Sequence, residues 1–191
     1  MAAKKELIFV TSNAHKVHEI RALAAQQGAA LAIEHLEYEY PELQLETIEA
    51  VAEASAKYLR ERITISRPFF LEDSGLLIPA LQGFPGPFSA FVFKTIGNAG
   101  ILRLMTDLRG EERRATFKTV VAFCAVRQRE PILFIGTVEG RIATEIRGHG
   151  GFGYDPIFEV EGRTFGEMST AEKNAISHRG RAFQQLVAYL S

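Results

Sequence analysis

Arg114 to Val126 (RATFKTVVAFCAV) reads as one long strand, and its length constrains the fold more than any other feature of the chain. After a turn near Arg129-Glu130-Pro131, the segments Pro131–Ile135 and Thr137–Ile146 read as its antiparallel partner, broken at Gly136. A long hairpin must bury its faces, and helical patterns lie on either side of it in the chain. Leu7–Val10 reads as a short buried strand. A helix follows from about Ala14, with Val17, Ile20, Leu23 and Ala24 on one face. A second helix runs from about Thr47 to Arg62. Pro68–Leu71 is a strand that delivers Glu72 and Asp73 to a turn at Ser74-Gly75. Gly83–Pro87 is a loop, and a short helix covers Asn98–Leu108 with Asn98 as its N-cap. Tyr154–Val160 and Thr164–Glu167 pair around Glu161-Gly162. Ser169-x-x-Glu172 opens a helix as a capping box, and Ser177 caps a second helix running through Phe183, Leu186, Val187 and Leu190. The pattern predicts an α/β fold: an elongated mixed sheet with long antiparallel strands, flanked by helices in two lobes with a central cleft. The 191 residues suit a single domain, 1–191.

Composition narrows the function. Hydrophobic residues make up 47% of the chain, enough for a substantial core, and the net charge of -1 argues against a general nucleic-acid binder. The one cysteine, Cys124, sits in an apolar run. It excludes an internal disulfide and a Cys-based zinc site, and it reads as a buried structural thiol. The N-terminal apolar stretch is too short for a signal peptide and no segment is long enough to span a membrane, so a cytoplasmic protein is expected. Charge is unevenly placed. From Leu31 to Ala56 there are seven Glu and no Lys or Arg, whereas from Lys173 to the C-terminus there is no Asp or Glu. The acidic stretch suits a metal-ligand region and the basic end a phosphate-binding region, with no local carboxylate to neutralise Lys173, Arg179 and Arg181.

Four constellations carry chemistry. Thr11-Ser12-Asn13-Ala14-His15-Lys16 joins the first strand to the first helix. Cations in a first helical turn are disfavoured by the helix dipole unless an anion binds there, on free N–H groups and Lys16 together. The motif lacks the glycines of a P-loop. In Leu71–Leu76 an apolar strand delivers two adjacent carboxylates, and Asp73 is a candidate to bind a hard cation such as Mg2+ or to orient water. Glu42 lies in the acidic region, where its neighbours do not set it apart from Glu39 or Glu46. Finally, Phe152-Gly153-Tyr154-Asp155 offers rings that can stack on a base, or pack in a core, ahead of the cations Lys173, His178 and Arg179. Gly148, Gly150 and Gly153 fit G-x-G-x-x-G, but a strand-like segment follows instead of a helix, which rules out a Rossmann site. Lys173, His178 and Arg179 converge only if the helix breaks near Ser177.

Taken in order, these motifs resemble the inosine triphosphate pyrophosphatases, also called dITP/XTP diphosphatases. The resemblance runs from Thr11 to about Leu186. Its most specific parts are EDSGL (Glu72–Leu76), FGYDPIF (Phe152–Phe158) and EKNAISHRGRA (Glu172–Ala182). It implies a Mg2+-dependent hydrolase, with Mn2+ as an alternative, that converts ITP, dITP and XTP to monophosphate and pyrophosphate. It also implies a homodimer with small-molecule nucleotides as partners and neither nucleic acid nor membrane. By that resemblance Thr11, Ser12, Asn13 and Lys16 hold phosphates, with Ala14 and His15 in the same substrate-binding loop. Glu42 and Asp73 hold the metal, and Asp73 also activates water. Ser74 contacts substrate, Phe152 stacks on the base, and Gly153, Tyr154 and Asp155 line its pocket. Lys173, His178 and Arg179 complete the phosphate and base contacts. Two departures stand out: Ser12 replaces a usual glycine, and Phe88-Ser89-Ala90-Phe91 replaces Tyr-Ser-Ala-Arg. The alternatives are a pyrophosphatase of modified pyrimidine nucleotides, a non-catalytic nucleotide sensor, and a metal-dependent nuclease; the carboxylates count against the sensor, and the near-neutral charge against the nuclease.

Overall fold

A computed structural model describes residues 5–26, 31–41 and 43–191. The chain opens with β1 (Lys5–Val10), α1 (Ala14–Gln26), β2 (Leu31–Leu36), α2 (Ile48–Arg62) and β3 (Phe69–Leu77). It continues with α3 (Ser89–Thr95), α4 (Gly97–Leu104), β4 (Arg114–Cys124), β5 (Ile132–Ile142), β6 (Phe158–Val160) and β7 (Arg163–Thr164). Helices α5 (Thr170–Ile176) and α6 (His178–Leu190) close it. The strands form one seven-stranded sheet in the order β2-β1-β3-β4-β5-β6-β7. β1 pairs in parallel with β2 and β3, and every pairing from β3 to β7 is antiparallel. This is the mixed α/β sheet with long antiparallel strands that the sequence predicts.

Side-chain alternation along the strands sorts three cores. Ile8, Val10, Leu71, Val120 and Ala122 face α2, which contributes Ile48, Ala52, Ala56 and Leu59. Leu7, Phe9, Phe70, Val121 and Phe123 face the other way, onto α1 (Val17, Ile20, Leu23) and α6 (Phe183, Leu186). Farther along that second face a third core gathers Leu76, Phe117, Val138 and Ile142 under Ile101, Tyr154, Phe158 and Phe165. Phe117, Thr119, Val121 and Phe123 are alternate residues of β4 on one face, so fully buried Thr119 marks a polar gap between two apolar cores. Each buried Phe, Leu or Ile contributes roughly 1.5–3 kcal/mol by burial, and Phe9 and Phe70 stack with centroids 4.7 Å apart across β1 and β3.

Several sequence expectations are corrected. β3 does not stop at a Ser74-Gly75 turn; it pairs with β4 through Leu77. Gly75 serves close approach instead, since a Cβ there would lie 2.4 Å from the Gly86 carbonyl oxygen. Gly136 does not break β5 either. A Cβ at that position would lie 2.0 Å from the His178 carbonyl oxygen and 2.5 Å from the Ala182 nitrogen, so the missing side chain is what lets α6 lie on the strand. Asn98 does not cap a helix: α4 begins at Gly97, and the Asn98 side-chain amide donates to the Gly153 carbonyl at 3.1 Å. The segments 155–157 and 165–167 are 3-10 turns rather than strand, with proline at the start of the first. β2 and α3 are elements the sequence reading did not anticipate.

Candidate active site

β1 is the shorter neighbour of β3. Its pairing with β3 ends at Phe9↔Phe70, while β3 runs on to Leu77, so the loop after β1 sits beside the open edge of β3. Thr11 is buried and its hydroxyl accepts from the Asn13 N–H at 3.1 Å. The Asn13 Oδ1 accepts from the N–H groups of His15 (3.0 Å) and Lys16 (3.3 Å), capping α1. Ser12, Ala14 and His15 are exposed. Lys16 points inward. Its Nζ donates to the Glu72 carbonyl oxygen at 3.1 Å, beyond the end of β1, and pairs with the Glu72 carboxylate at 2.9 Å.

That contact opens a buried ion network in the polar gap between the two cores. The Glu72 side chain accepts from the Ser74 hydroxyl (2.6 Å) and from Arg179 Nη2 (3.2 Å), and Ser74 is also 2.6 Å from the Thr119 hydroxyl. Arg179 Nη1 reaches Glu19 of α1 at 2.6 Å. Glu19 in turn accepts from Lys173 Nζ at 2.6 Å, and the same ammonium donates to Asp155 Oδ2 at 2.6 Å. Asp155 Oδ2 also accepts from the Phe152 N–H at 2.7 Å. The cations Lys16, Lys173 and Arg179 therefore balance the carboxylates Glu19, Glu72 and Asp155. The expectation that the basic C-terminal segment lacks neutralising partners is overturned for Lys173 and Arg179, which pair with Glu19 of α1, Glu72 of β3 and Asp155, whereas Arg181 donates to the Thr137 carbonyl.

Protonation states follow from the competition between burial and neighbours. Burial alone would raise the Glu72 pKa, but Arg179, Lys16 and the Ser74 hydroxyl together hold it far below the ordinary range. Glu19 is held low in the same way by Arg179 and Lys173 against its burial. For Asp155 burial wins, and its pKa is raised despite Lys173. His178 is buried against the Phe117 ring, with centroids 4.6 Å apart, and burial together with Arg179 and Lys173 pushes its pKa well below 6.5. The imidazole is neutral at neutral pH.

The break between α5 and α6 is formed as the caps predict. Ser177 is extended (φ -70°, ψ 155°) and its hydroxyl accepts from the Gly180 N–H at 3.0 Å. Lys173 and Arg179 thereby converge on Glu19, while His178 turns to Phe117. Phe152 lies at the edge of the network, half-buried, with Lys173 Nζ 5.1 Å and Arg179 Cζ 5.4 Å from its ring centroid. Gly153 follows with φ +64°, a left-handed conformation suited to glycine. Tyr154 is a core residue. It is 4% exposed, packs edge-on against Phe93 and donates its hydroxyl to the Ser89 carbonyl at 2.9 Å.

Asp73, adjacent to Glu72, points to the opposite face of the sheet. It pairs across the ladder with Val120 of the α2-side core, near the Lys118–Glu49 ion pair (2.7 Å). Strand period thus separates the two carboxylates of EDSGL: Glu72 is buried among cations, and Asp73 is half-buried on the α2 side. A carboxylate is a hard oxygen donor of the kind Mg2+ takes, alone or in pairs, alongside phosphate and water. Glu42 lies outside the described residues. Among the described residues no group of three or more His, Cys, Asp or Glu is placed to hold a metal ion.

Sequence reasoning missed Glu19 and undervalued Glu72. A signal for Glu19 was present: it lies among Val17, Ile20 and Leu23 on the inward stripe of α1, where an unpaired charge is costly. Among the described residues several buried polar atoms have no hydrogen-bond partner: His178 Nδ1, Arg179 Nε and both side-chain polar atoms of Asn174.

Residues 7–189 match the model of the Ham1 family. A dITP/XTP pyrophosphatase of Thermococcus kodakarensis is 52% identical over 187 residues, 96% of either chain. One from Methanopyrus kandleri is 46% identical over 96% of this chain and 95% of its own. Among solved structures, a HAM1 protein from Coxiella burnetii, 32% identical, superposes with a TM-score of 0.80 over 97% of this chain and 98% of that one.

Proposed function

This chain belongs to the Ham1 family, and we infer that it is a hydrolase that converts non-standard purine nucleoside triphosphates, dITP, XTP and ITP, to the monophosphate and pyrophosphate. The observation that carries this reading is the network of three cations and three carboxylates fixed beneath the Phe152 ring at the end of β1. It pairs a stacking platform for a base with charges preorganised for phosphates. The whole chain acts as one domain of two lobes, with substrate between them.

Ser12, Asn13 and Ala14 approach the phosphates through the exposed start of α1, with Thr11 bracing the loop and Lys16 supplying charge. Asp73 and Glu42 would hold Mg2+, or Mn2+ in its place, and the ion would neutralise charge on the triphosphate. Asp73 aims a water at the α-phosphorus and takes its proton as the new P–O bond forms and the bond to the departing pyrophosphate breaks. On the other face of the sheet Ser74 steadies Glu72, and through it Lys16 and Arg179. Phe152 stacks on the base. Arg179, whose Nε forms no hydrogen bond among the described residues, and Lys173 lend the pocket a positive field that favours a 6-keto oxygen, while Asp155 and neutral His178 complete its polar surroundings. Adenine would turn an amino donor toward that field and be disfavoured. Tyr154 shapes this pocket from behind, through its place in the core.

No helix among the described residues is long and apolar enough to cross a membrane. In this reading the enzyme serves the cytoplasmic nucleotide pool and needs neither membrane nor nucleic acid. It works as a homodimer, and the exposed Phe88, Phe91 and Phe93 offer apolar surface for that contact. The test is a product assay with Mg2+ over ITP, dITP, XTP, GTP, ATP and dUTP. Monophosphate and pyrophosphate from the first three, with ATP and GTP nearly untouched, are expected; diphosphate and orthophosphate would overturn the assignment. Asp73→Asn should remain folded and lose most turnover, on the order of the 10²–10⁴-fold that a positioned acid–base group contributes. Near-normal turnover would mean that Asp73 neither activates the water nor holds the metal.

A further inference from the structure

The outer partner of Phe152 is His15. The two rings stack with centroids 5.3 Å apart and planes inclined by 13°. His15 is exposed, in the first turn of α1, and its backbone N–H is held by Asn13. Among the described residues its imidazole forms no hydrogen bond or ion pair, so stacking alone places the ring. The other groups near the Phe152 ring, Lys173 and Arg179, are buried and locked by Glu19, Asp155 and Glu72. A third ring does not fit between His15 and Phe152, because a sandwiched base needs two contact spacings, about 7–8 Å in all. Of the described groups stacked on or over the Phe152 ring, only His15 can leave by rotation of an exposed side chain.

We propose that His15 is a displaceable plug of the base subsite: its imidazole covers the Phe152 face that the nucleotide's heterocycle takes, and swings out as the base stacks. The proposal rests on the reading of Phe152 as the base platform. A flat aromatic heterocycle competes for that face and a bare phosphate chain does not. A bicyclic purine overlaps a phenyl ring more than a pyrimidine does, so the plug sets a threshold that purines clear more easily. His15 thus acts on base selection, while the polar rim acts on the keto group.

The experiment is ring-selective NMR on histidine-labelled protein at fixed pH. The His15 ring protons, assigned by their loss in His15→Gln, should be shifted upfield by the Phe152 ring. Titration with inosine monophosphate should move them toward exposed-histidine values, and titration with inorganic pyrophosphate should not. His15→Ala should bind inosine monophosphate about two- to ten-fold more tightly, the range of one lost aromatic stack, and should narrow the preference for ITP over dUTP. Weaker monophosphate binding by His15→Ala would make His15 a wall of the pocket and overturn the plug, as would a His15 resonance unmoved by the monophosphate. Phe152→Ala separates the two readings. If it leaves KM for ITP unchanged, the platform itself falls; if it raises KM while His15→Ala also weakens binding, the platform stands and only the plug falls.

Discussion

Glu19→Gln is the sharpest perturbation of the buried network. Glu19 is 5% exposed and bridges Lys173 and Arg179 at 2.6 Å each, tying α1 to α5 and α6. Glutamine keeps the shape but removes the charge. Breaking a buried ion pair costs about 3–5 kcal/mol, mostly because the surviving charge stays buried without compensation. Here Lys173 keeps Asp155 at 2.6 Å and Arg179 keeps Glu72 at 3.2 Å, so the lower end, about 3 kcal/mol, is expected. For a chain of this size each kcal/mol lowers Tm by roughly 2–4 °C, giving a drop of about 6–12 °C. Thermal and urea unfolding of both proteins, with m-values compared, measures it. The control is Glu53→Gln, whose partner Lys57 is 2.7 Å away but whose pair is solvated; Tm there should stay within about 2 °C. If both substitutions cost the same, burial is not what makes the Glu19 bridges matter and the network does not hold these elements together.

Gly136→Ala places a Cβ against backbone atoms of α6. It should cost about 2–3 kcal/mol and, by displacing His178 and Arg179, lower kcat/KM as well, as denaturation and ITP turnover would show. Glu72 has a folded pKa below the ordinary 4.5, so its stabilisation is complete above that value and is lost as pH falls beneath it. Asp155, raised above its ordinary 3.8, works in the opposite sense. The urea midpoint of the wild type should therefore fall between about pH 5 and pH 3, more steeply than that of Glu72→Gln. Ser177→Ala removes the cap on Gly180 and should cost about 1 kcal/mol while raising KM for ITP, because the break it fixes aligns Lys173 with Arg179.

The caps and the apolar stripes were legible because their causes are local. Ser169, Glu172 and Ser177 satisfy N–H groups a few residues away, and Val17, Ile20 and Leu23 mark the inward face of α1 from sequence alone. What failed was anything set by a distant neighbour. Gly136 looks like a strand breaker until α6 is laid across it, and Ser74-Gly75 looks like a turn until β4 pairs with it. The cations of the last helices look unneutralised because Glu19 and Glu72 are more than a hundred residues away in the chain. Phe152 and Tyr154 offered the same two roles, and tertiary packing divided them: Tyr154 is in the core and Phe152 at the network's edge.

The buried charges also explain why one face of the sheet carries two cores instead of one. An apolar filling between Phe117 and Val121 would join them, and replacing a buried ion network by packed hydrocarbon is often neutral or stabilising. In the proposed reaction Glu72 keeps Lys16 and Arg179 in place, and the incoming triphosphate meets their charge without displacing it. Adjacent residues of β3 then divide the work. In that proposal Glu72 holds cations in position on one face, and Asp73, one residue on and therefore on the other face, serves the water and the metal. Shifting β3 by a single residue would exchange the faces of those two carboxylates, so on the proposed reading the register fixed by the long β3–β4 ladder belongs to the active site.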